Sequence, residues 1–248
     1  MSGLRSYSPQ LDPSSPIILL SSEESHHLVT VHRAQEGDKV SVIDGRGSEW
    51  LARIKSADKR GTTLEGIEYI EHSPSTSRIA LAQSIPKAKG VENIIRKATE
   101  LGIQDVYPIL SARTESKVRG GKKLQKWQTV AIEAAKQSGN SFIPTIHPET
   151  TLGRFIESGT SEYGIRLIAS LQADSEPLYR RLEGMNLTEH PSGLLLIGPE
   201  GDFTDSEYSK ISDAGFFPIT LGKHVLKCET AAIKSISLLQ YEFSRMGC

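Results

Sequence analysis

The stretch from Gly193 to Gln240 constrains this chain most, because it sets two glycine-bearing loops between apolar segments. Leu194-Leu195-Leu196-Ile197 is a short, unbroken apolar run, the pattern of a strand buried on both faces of a parallel sheet. Gly198-Pro199-Glu200-Gly201 stops it abruptly. Thr204, with Glu207 one helical turn on, has the form of a capping box and predicts a helix ending near Gly215. Phe216 to Leu221 predicts the next strand, with Pro218 placing it at an edge or at its start. Gly222 opens the second loop, which carries Lys227, Glu229 and Thr230 into a last helix. That helix lines Ala232, Ile236, Leu239 and Phe243 along one face. Loops at the carboxyl ends of strands are where open α/β sheets bind ligands. The Gly-Pro-Glu-Gly segment alone is more often a tight turn. The charged and hydroxyl groups of the second loop, which a plain connection would not need, favour a binding site.

Charge is distributed unevenly. The net charge is −1, yet residues 73–147 hold 12 Lys/Arg against 5 Asp/Glu, while residues 1–72 hold 8 against 11 and the remainder 9 against 14. A basic segment inside a neutral chain is the electrostatic footprint of a polyanion site, although a solvated lysine-rich face has the same composition. With 248 residues the chain can form one large domain or two small ones. Its 24% charged and 37% hydrophobic residues suit a globular protein, and no apolar run is long enough to span a bilayer. The first sixteen residues lack the apolar core of a signal peptide, so a cytoplasmic location is expected. Cys228 and Cys248 are the only cysteines, which provides neither a disulfide framework nor a metal cluster.

From Pro16 to Ile70 the pattern is short and strand-like, with Lys39 to Ile43 and Trp50 to Ile54 alternating around an Asp44-Gly45 turn. Such spacing suggests a small barrel. The polar piece from Ser25 to Ala34 is expected to be helical. Its His26, His27 and His32 lack a carboxylate or cysteine at ligand spacing, so no metal is expected. Glu71 to Ser77 is the best linker, giving a first domain of 1–72 and a second of 73–248. Beyond it strands alternate with helices, the mark of a parallel sheet. Val91, Ile94, Ile95, Ala98 and Leu101 form one helical stripe closing at Gly102, and Leu124, Trp127, Ala131, Ala134 and Ala135 form another ending at Gly139. Lys87 and Lys89 follow a strand, and Arg113, Lys117, Arg119, Lys122 and Lys123 fill a loop, where such cations would pair with phosphates.

Six segments, in order and at matching spacing, resemble the RsmE family of 16S ribosomal RNA (uracil-N3)-methyltransferases, within the knotted SPOUT class. They are His27 with Val31-His32-Arg33; Gln83 to Lys87 with Lys97 to Gly102; Trp127 with Glu133 to Gly139; Leu196 to Gly201; Leu221-Gly222; and Val225 to Ala231. The resemblance covers almost the whole chain and implies a small PUA-like β-barrel domain followed by an α/β domain with a C-terminal trefoil knot. It implies S-adenosylmethionine as cofactor, held by Leu171, Ile197, Gly198, Pro199, Glu200, Gly201, Leu221, Gly222, Val225, Leu226, Cys228, Thr230 and Ala231. Lys227 and Glu229 are the catalytic candidates, with Glu229 as a base or as an anchor for the last helix. Arg33, Lys87, Lys89, Arg113, Lys117, Lys123 and Asn140 are the RNA-binding candidates. Expected partners are 16S rRNA in the small ribosomal subunit and a second copy of the chain. Ribose 2′-O-methylation of RNA, or a non-catalytic RNA-binding assembly role, are the alternatives. The chain departs from the usual pattern at Asp202, where a second glycine is common, at Lys227 and Asn140 for arginine, at Cys228 for threonine, and at His32 for leucine.

Overall fold

The computed structural model describes residues 3–86, 90–114, 122–158, 160–183, 185 and 191–245. The chain divides into two compact units, 1–74 with 132–143 and 75–131 with 144–248. Among the described residues no helix is long and apolar enough to cross a membrane.

The first unit contains β1 (Leu4–Tyr7), β2 (Ile17–Leu19), α1 (Ser22–His26), a π-helical turn at His27–Val31, β3 (Lys39–Ile43), β4 (Ser48–Ser56) and β5 (Thr63–Glu71). Its strands follow the order β1-β3-β4-β5-β2, antiparallel except where β1 joins β3. Alternation along β3 and β4 sends Val40, Val42, Trp50, Ala52 and Ile54 into a core shared with Ile18, Leu28 and Leu64. Gly66 is required there, since a β-carbon would lie 2.6 Å from the Trp50 ring. Polar bonds add to the packing of this unit. The Lys136 ammonium is buried and meets Glu24 and Glu133, each at 2.8 Å, while Glu24 also accepts the Tyr7 amide at 3.0 Å. Glu49 is buried as well and accepts hydrogen bonds from Ser41, His72 (2.7 Å) and Ser141 (3.3 Å).

The second unit is built on β6 (Arg78–Ser84), α2 (Gly90–Glu100), β7 (Asp105–Leu110), α3 (Lys122–Ser138), β8 (Thr145–Ile146), β9 (Thr150–Thr151), α4 (Leu152–Glu157), β10 (Ile165–Ala169), β11 (Glu176–Pro177), α5 (Leu178–Leu182), β12 (Ser192–Ile197), α6 (Asp205–Asp213), β13 (Phe217–Thr220) and α7 (Cys228–Arg245). The end of α3 counts with the first unit. The parallel sheet runs β11-β13-β10-β12-β6-β7-β8, with β9 also paired to β7. Leu194 to Ile197 is buried in the middle of this sheet, as an unbroken apolar run demands. The capping box at Thr204 and Glu207 is formed in both directions and starts α6. Pro218 sits in β13, covered on its outer side only by the two-residue β11, so its missing N–H costs the ladder little.

A polar cluster ties the amino ends of β6 and β7. Arg78 meets Asp105 at 2.8 Å and Glu162 at 3.2 Å, and His147 Nε2 lies 2.9 Å from the other Asp105 oxygen. Tyr107 stacks on His147 at 4.0 Å. Burial raises the Asp105 pKa, but hydrogen bonds from His147 and Arg78 outweigh it and hold the carboxyl below its ordinary value. A lowered folded-state pKa means stability that is complete above the unfolded pKa of about 3.9 and lost as pH falls through the folded value. Asp105→Asn is therefore expected to cost about 2 kcal/mol near neutral pH and to shrink the acid-limb slope of the stability curve below pH ~4. Urea melts from pH 7 to pH 3 check this; an unchanged slope would show that the cluster carries no proton linkage.

Candidate active site at the carboxyl edge of the sheet

Register decides which loops meet. Ala169 pairs with Ile197 on one side and with Ile219 on the other, so β10, β12 and β13 end at the same level. The loops leaving them share a cavity of about 300 Å³, at the small end of ligand-site sizes. Of the residues expected from the sequence, Leu171, Ile197, Gly198, Pro199, Glu200, Leu221, Gly222, Val225, Leu226, Lys227, Cys228 and Ala231 line it. Gly201, Glu229 and Thr230 are not among the lining residues, whereas Ala169, Ser170, Asp202 and His224 are. Ser170 and Ala169 could have been found from the alignment of strand ends, and Asp202 and His224 from lying within the two loops.

Each wall is held by identifiable bonds. In the first loop the Asp202 amide donates to the Pro199 carbonyl at 2.9 Å, closing a turn, and Asp202 adopts φ +62°. Aspartate tolerates that left-handed conformation better than most residues because its short side chain bonds locally. Asp202 Oδ1 accepts from the Phe203 amide and from the Tyr208 hydroxyl, each at 2.8 Å. Phe203 in turn packs beneath Gly198, where a β-carbon would come within 3.2 Å of its ring. In the second loop Gly222 takes φ +116°, a conformation that glycine alone adopts easily, and its amide donates to Thr220 Oγ1 at 3.2 Å. Lys234 of α7 pins the same loop by donating to the Leu221 carbonyl at 2.7 Å.

The lining is mostly apolar. Leu171 and Val225 are 63% and 77% exposed, an unusual state for large aliphatic side chains that share one cavity. Charge is sparse and mixed: Glu200, Asp202 and Lys227, with His224. Among the described lining residues Lys227 is the one Lys or Arg, so the chemistry suits an apolar-faced ligand with a few polar ends. Burial, with Glu200 and Glu229 nearby, pushes the Cys228 thiol up to about 11, which keeps it protonated and inert at neutral pH. Glu229 occupies the first turn of α7, where a carboxylate stabilises the helix N-terminus by about 0.3–1 kcal/mol.

Of the residues expected to contact RNA, Arg33, Arg113, Lys123 and Asn140 are described. Lys87, Lys89 and Lys117 lie outside the described residues. Arg113 is exposed and donates to the Gly201 carbonyl, while Lys123 meets Glu149 at 3.2 Å. Arg33, in the first unit, is exposed at φ +56°. Asn140, in the same unit, uses its side-chain oxygen to accept the Phe142 amide at 2.9 Å. Among the described residues no group of three or more His, Cys, Asp or Glu could hold a metal ion.

The chain carries an RNA methyltransferase domain and an RNA methyltransferase PUA domain. The corresponding family models match residues 73–240 and 20–65. The chain belongs to the ribosomal RNA small subunit methyltransferase E family. It is 35% identical to the Synechocystis member over 216 residues, 86% of this chain and 69% of that one. The Bacillus subtilis member is 26% identical, covering 92% and 91%. Among solved structures, a Legionella pneumophila methyltransferase with bound S-adenosylmethionine superposes with a TM-score of 0.89 at 29% identity, covering 98% of each chain. A Neisseria gonorrhoeae ribosomal RNA small subunit methyltransferase E bound to S-adenosylmethionine gives 0.86 at 26%, covering 97% and 98%.

Proposed function

We propose that this chain uses S-adenosylmethionine to methylate N3 of a uridine in 16S rRNA of the small ribosomal subunit. The observation that carries the reading is the shared cavity of the loops after β10, β12 and β13. Its residues fit the cofactor. Leu171, Ile197, Val225 and Leu226 offer apolar faces for adenine, the glycines at 198 and 222 admit close backbone approach, and Lys227 is the one Lys or Arg among the described lining residues, as suits a ligand without phosphate. When bound, the cofactor supplies an electrophilic methyl group. Lys227, in the cavity lining, would stabilise negative charge developing on the uracil oxygens as the N3 proton passes to an acceptor, for which Glu229 in the first turn of α7 is the candidate. With the cofactor bound, the loops would exclude water and orient the base. The base must be unpaired or extruded, since Watson–Crick pairing covers N3.

The reading includes a trefoil knot in the α/β domain, a first domain of 1–72 that binds RNA, and a methyltransferase domain of 73–248. Chain order supports the knot: after β12 the chain crosses β10 to form β13, and α7 then returns to pack on β12, β6 and α2. The reading also includes a homodimer, which sedimentation at micromolar concentration checks.

The direct test incubates the protein with S-adenosylmethionine and small subunits from cells lacking the activity, then resolves the nucleosides by mass spectrometry. 3-Methyluridine is expected; 2′-O-methyluridine, or cofactor binding without any product, would reject the N3 assignment. RNA affinity should also fall steeply with salt, because each Lys or Arg bound to a phosphate releases a counterion, giving a log–log slope of about −0.7 to −0.9 per contact. A flat response would remove the basic segment from the interface.

A further inference from the structure

Asp202 occupies a left-handed backbone position, φ +62°, that glycine would take without strain, and it keeps a carboxylate in the wall of the cavity. Two hydrogen bonds hold that carboxylate, and both fall on Oδ1, from the Phe203 amide and the Tyr208 hydroxyl. Among the described residues no cation pairs with it, and Oδ2 receives no hydrogen bond. The Tyr208 hydroxyl also receives a bond from Ser170 Oγ at 3.4 Å, and Ser170 lines the cavity from the loop after β10. Tyr208 thus joins two walls of the cavity through one oxygen. Burial, together with Asp202, pushes its pKa to about 12, so it remains a donor throughout the working pH range. Its ring stands edge-on to Phe203 at 5.8 Å, which fixes the hydroxyl in place.

Resting on the functional reading above, we propose that Asp202 contacts a cationic group of the methyl donor and that Tyr208 is the positioning residue presenting it. A half-buried carboxylate beside apolar walls, whose two hydrogen bonds from described residues both fall on one oxygen, keeps acceptor capacity for a cation. The donor carries two cations, the sulfonium and the α-ammonium. Glu200, the other carboxylate of the lining, is exposed and has a partner of its own, which leaves Asp202 as the shielded acceptor.

The test measures binding of three compounds by calorimetry: S-adenosylmethionine, S-adenosylhomocysteine and 5′-methylthioadenosine, the last having neither cation. Asp202→Asn keeps an Oδ1 acceptor and tolerates the same backbone, but removes the charge. It is expected to weaken S-adenosylmethionine binding at least fivefold while methylthioadenosine stays within twofold. Equal loss for the homocysteine compound assigns the contact to the ammonium; loss for S-adenosylmethionine alone assigns it to the sulfonium. Tyr208→Phe, which removes only the hydroxyl, should produce the same selective loss at two- to fivefold. If either variant weakens all three compounds equally, its residue only shapes the pocket and its part of the proposal is overturned. Unchanged affinities in Asp202→Asn, with a wild type that binds, overturn the inference alone. A wild type that binds none of the three overturns the functional reading and this inference with it.

Discussion

Lys227→Ala is expected to lower the methyl-transfer rate about 100- to 1000-fold while S-adenosylmethionine affinity stays within about threefold. The effect is electrostatic. Uracil N3 must lose a weakly acidic proton, and the resulting charge spreads over the flanking oxygens. An ammonium in the cavity lining is worth most once that charge exists, so its removal acts on the rate rather than on binding. Lys227 immediately precedes α7, and its carbonyl accepts the Ala231 amide at 2.8 Å, so the backbone that carries the ammonium is anchored in the helix. Lys227→Arg should keep the charge and recover part of the rate, with altered geometry limiting the recovery. Single-turnover rates beside calorimetric affinities make the distinction. A variant losing binding and rate in parallel would make Lys227 a cofactor anchor instead.

Gly193→Val is expected to destabilise the α/β domain by about 3 kcal/mol and to lower Tm by roughly 6–12 °C. Gly193 pairs with Ile165 and Ile79 on its two sides in the sheet. A β-carbon there would come 2.6 Å from Leu239 Cδ2 and 3.3 Å from the Phe243 ring, both on α7. Glycine at this position lets α7 lie close against β12. Because α7 begins at Cys228 in the cavity wall, the added side chain should also weaken cofactor binding. Leu239→Ala in the same chain should recover part of the loss, since the two side chains compete for one space. Thermal melts with and without S-adenosylmethionine read both effects; an unchanged Tm would contradict the packing of α7 on β12.

Elements with a strong period were legible from residues alone. The stripe of Val91, Ile94, Ile95 and Ala98 is buried in α2, and Thr204 with Glu207 marks the start of α6 to the residue. Gly102, Gly139 and Gly215, expected at helix ends, take φ of +74°, +82° and +75°. Loop side chains have no such period. Gly201 and Asp202 are neighbours, yet only Asp202 lines the cavity, because the turn closed on Pro199 sets their directions. The two-residue strands β8, β9 and β11 are too short to leave a pattern. Long-range polar bonds leave none either. Nothing in the amphipathic stripe of α3 announces that Lys136 is buried against Glu24, 112 positions away. The bonds of Arg113 to the Gly201 carbonyl and of the Asn140 side-chain oxygen to the Phe142 amide likewise have no pattern along the chain. A sequence shows which groups can bond, and packing decides which partner is nearest.

Backbone amide hydrogen exchange on the intact protein, with and without saturating S-adenosylmethionine, reads out where the methyl donor sits. Protection is expected to rise in residues 197–202 and 221–228, with smaller changes at 169–171, because the cofactor would close the shared cavity between these loops. Protection confined to other segments, or none under conditions where calorimetry records binding, would contradict the assignment of this cavity to the methyl donor.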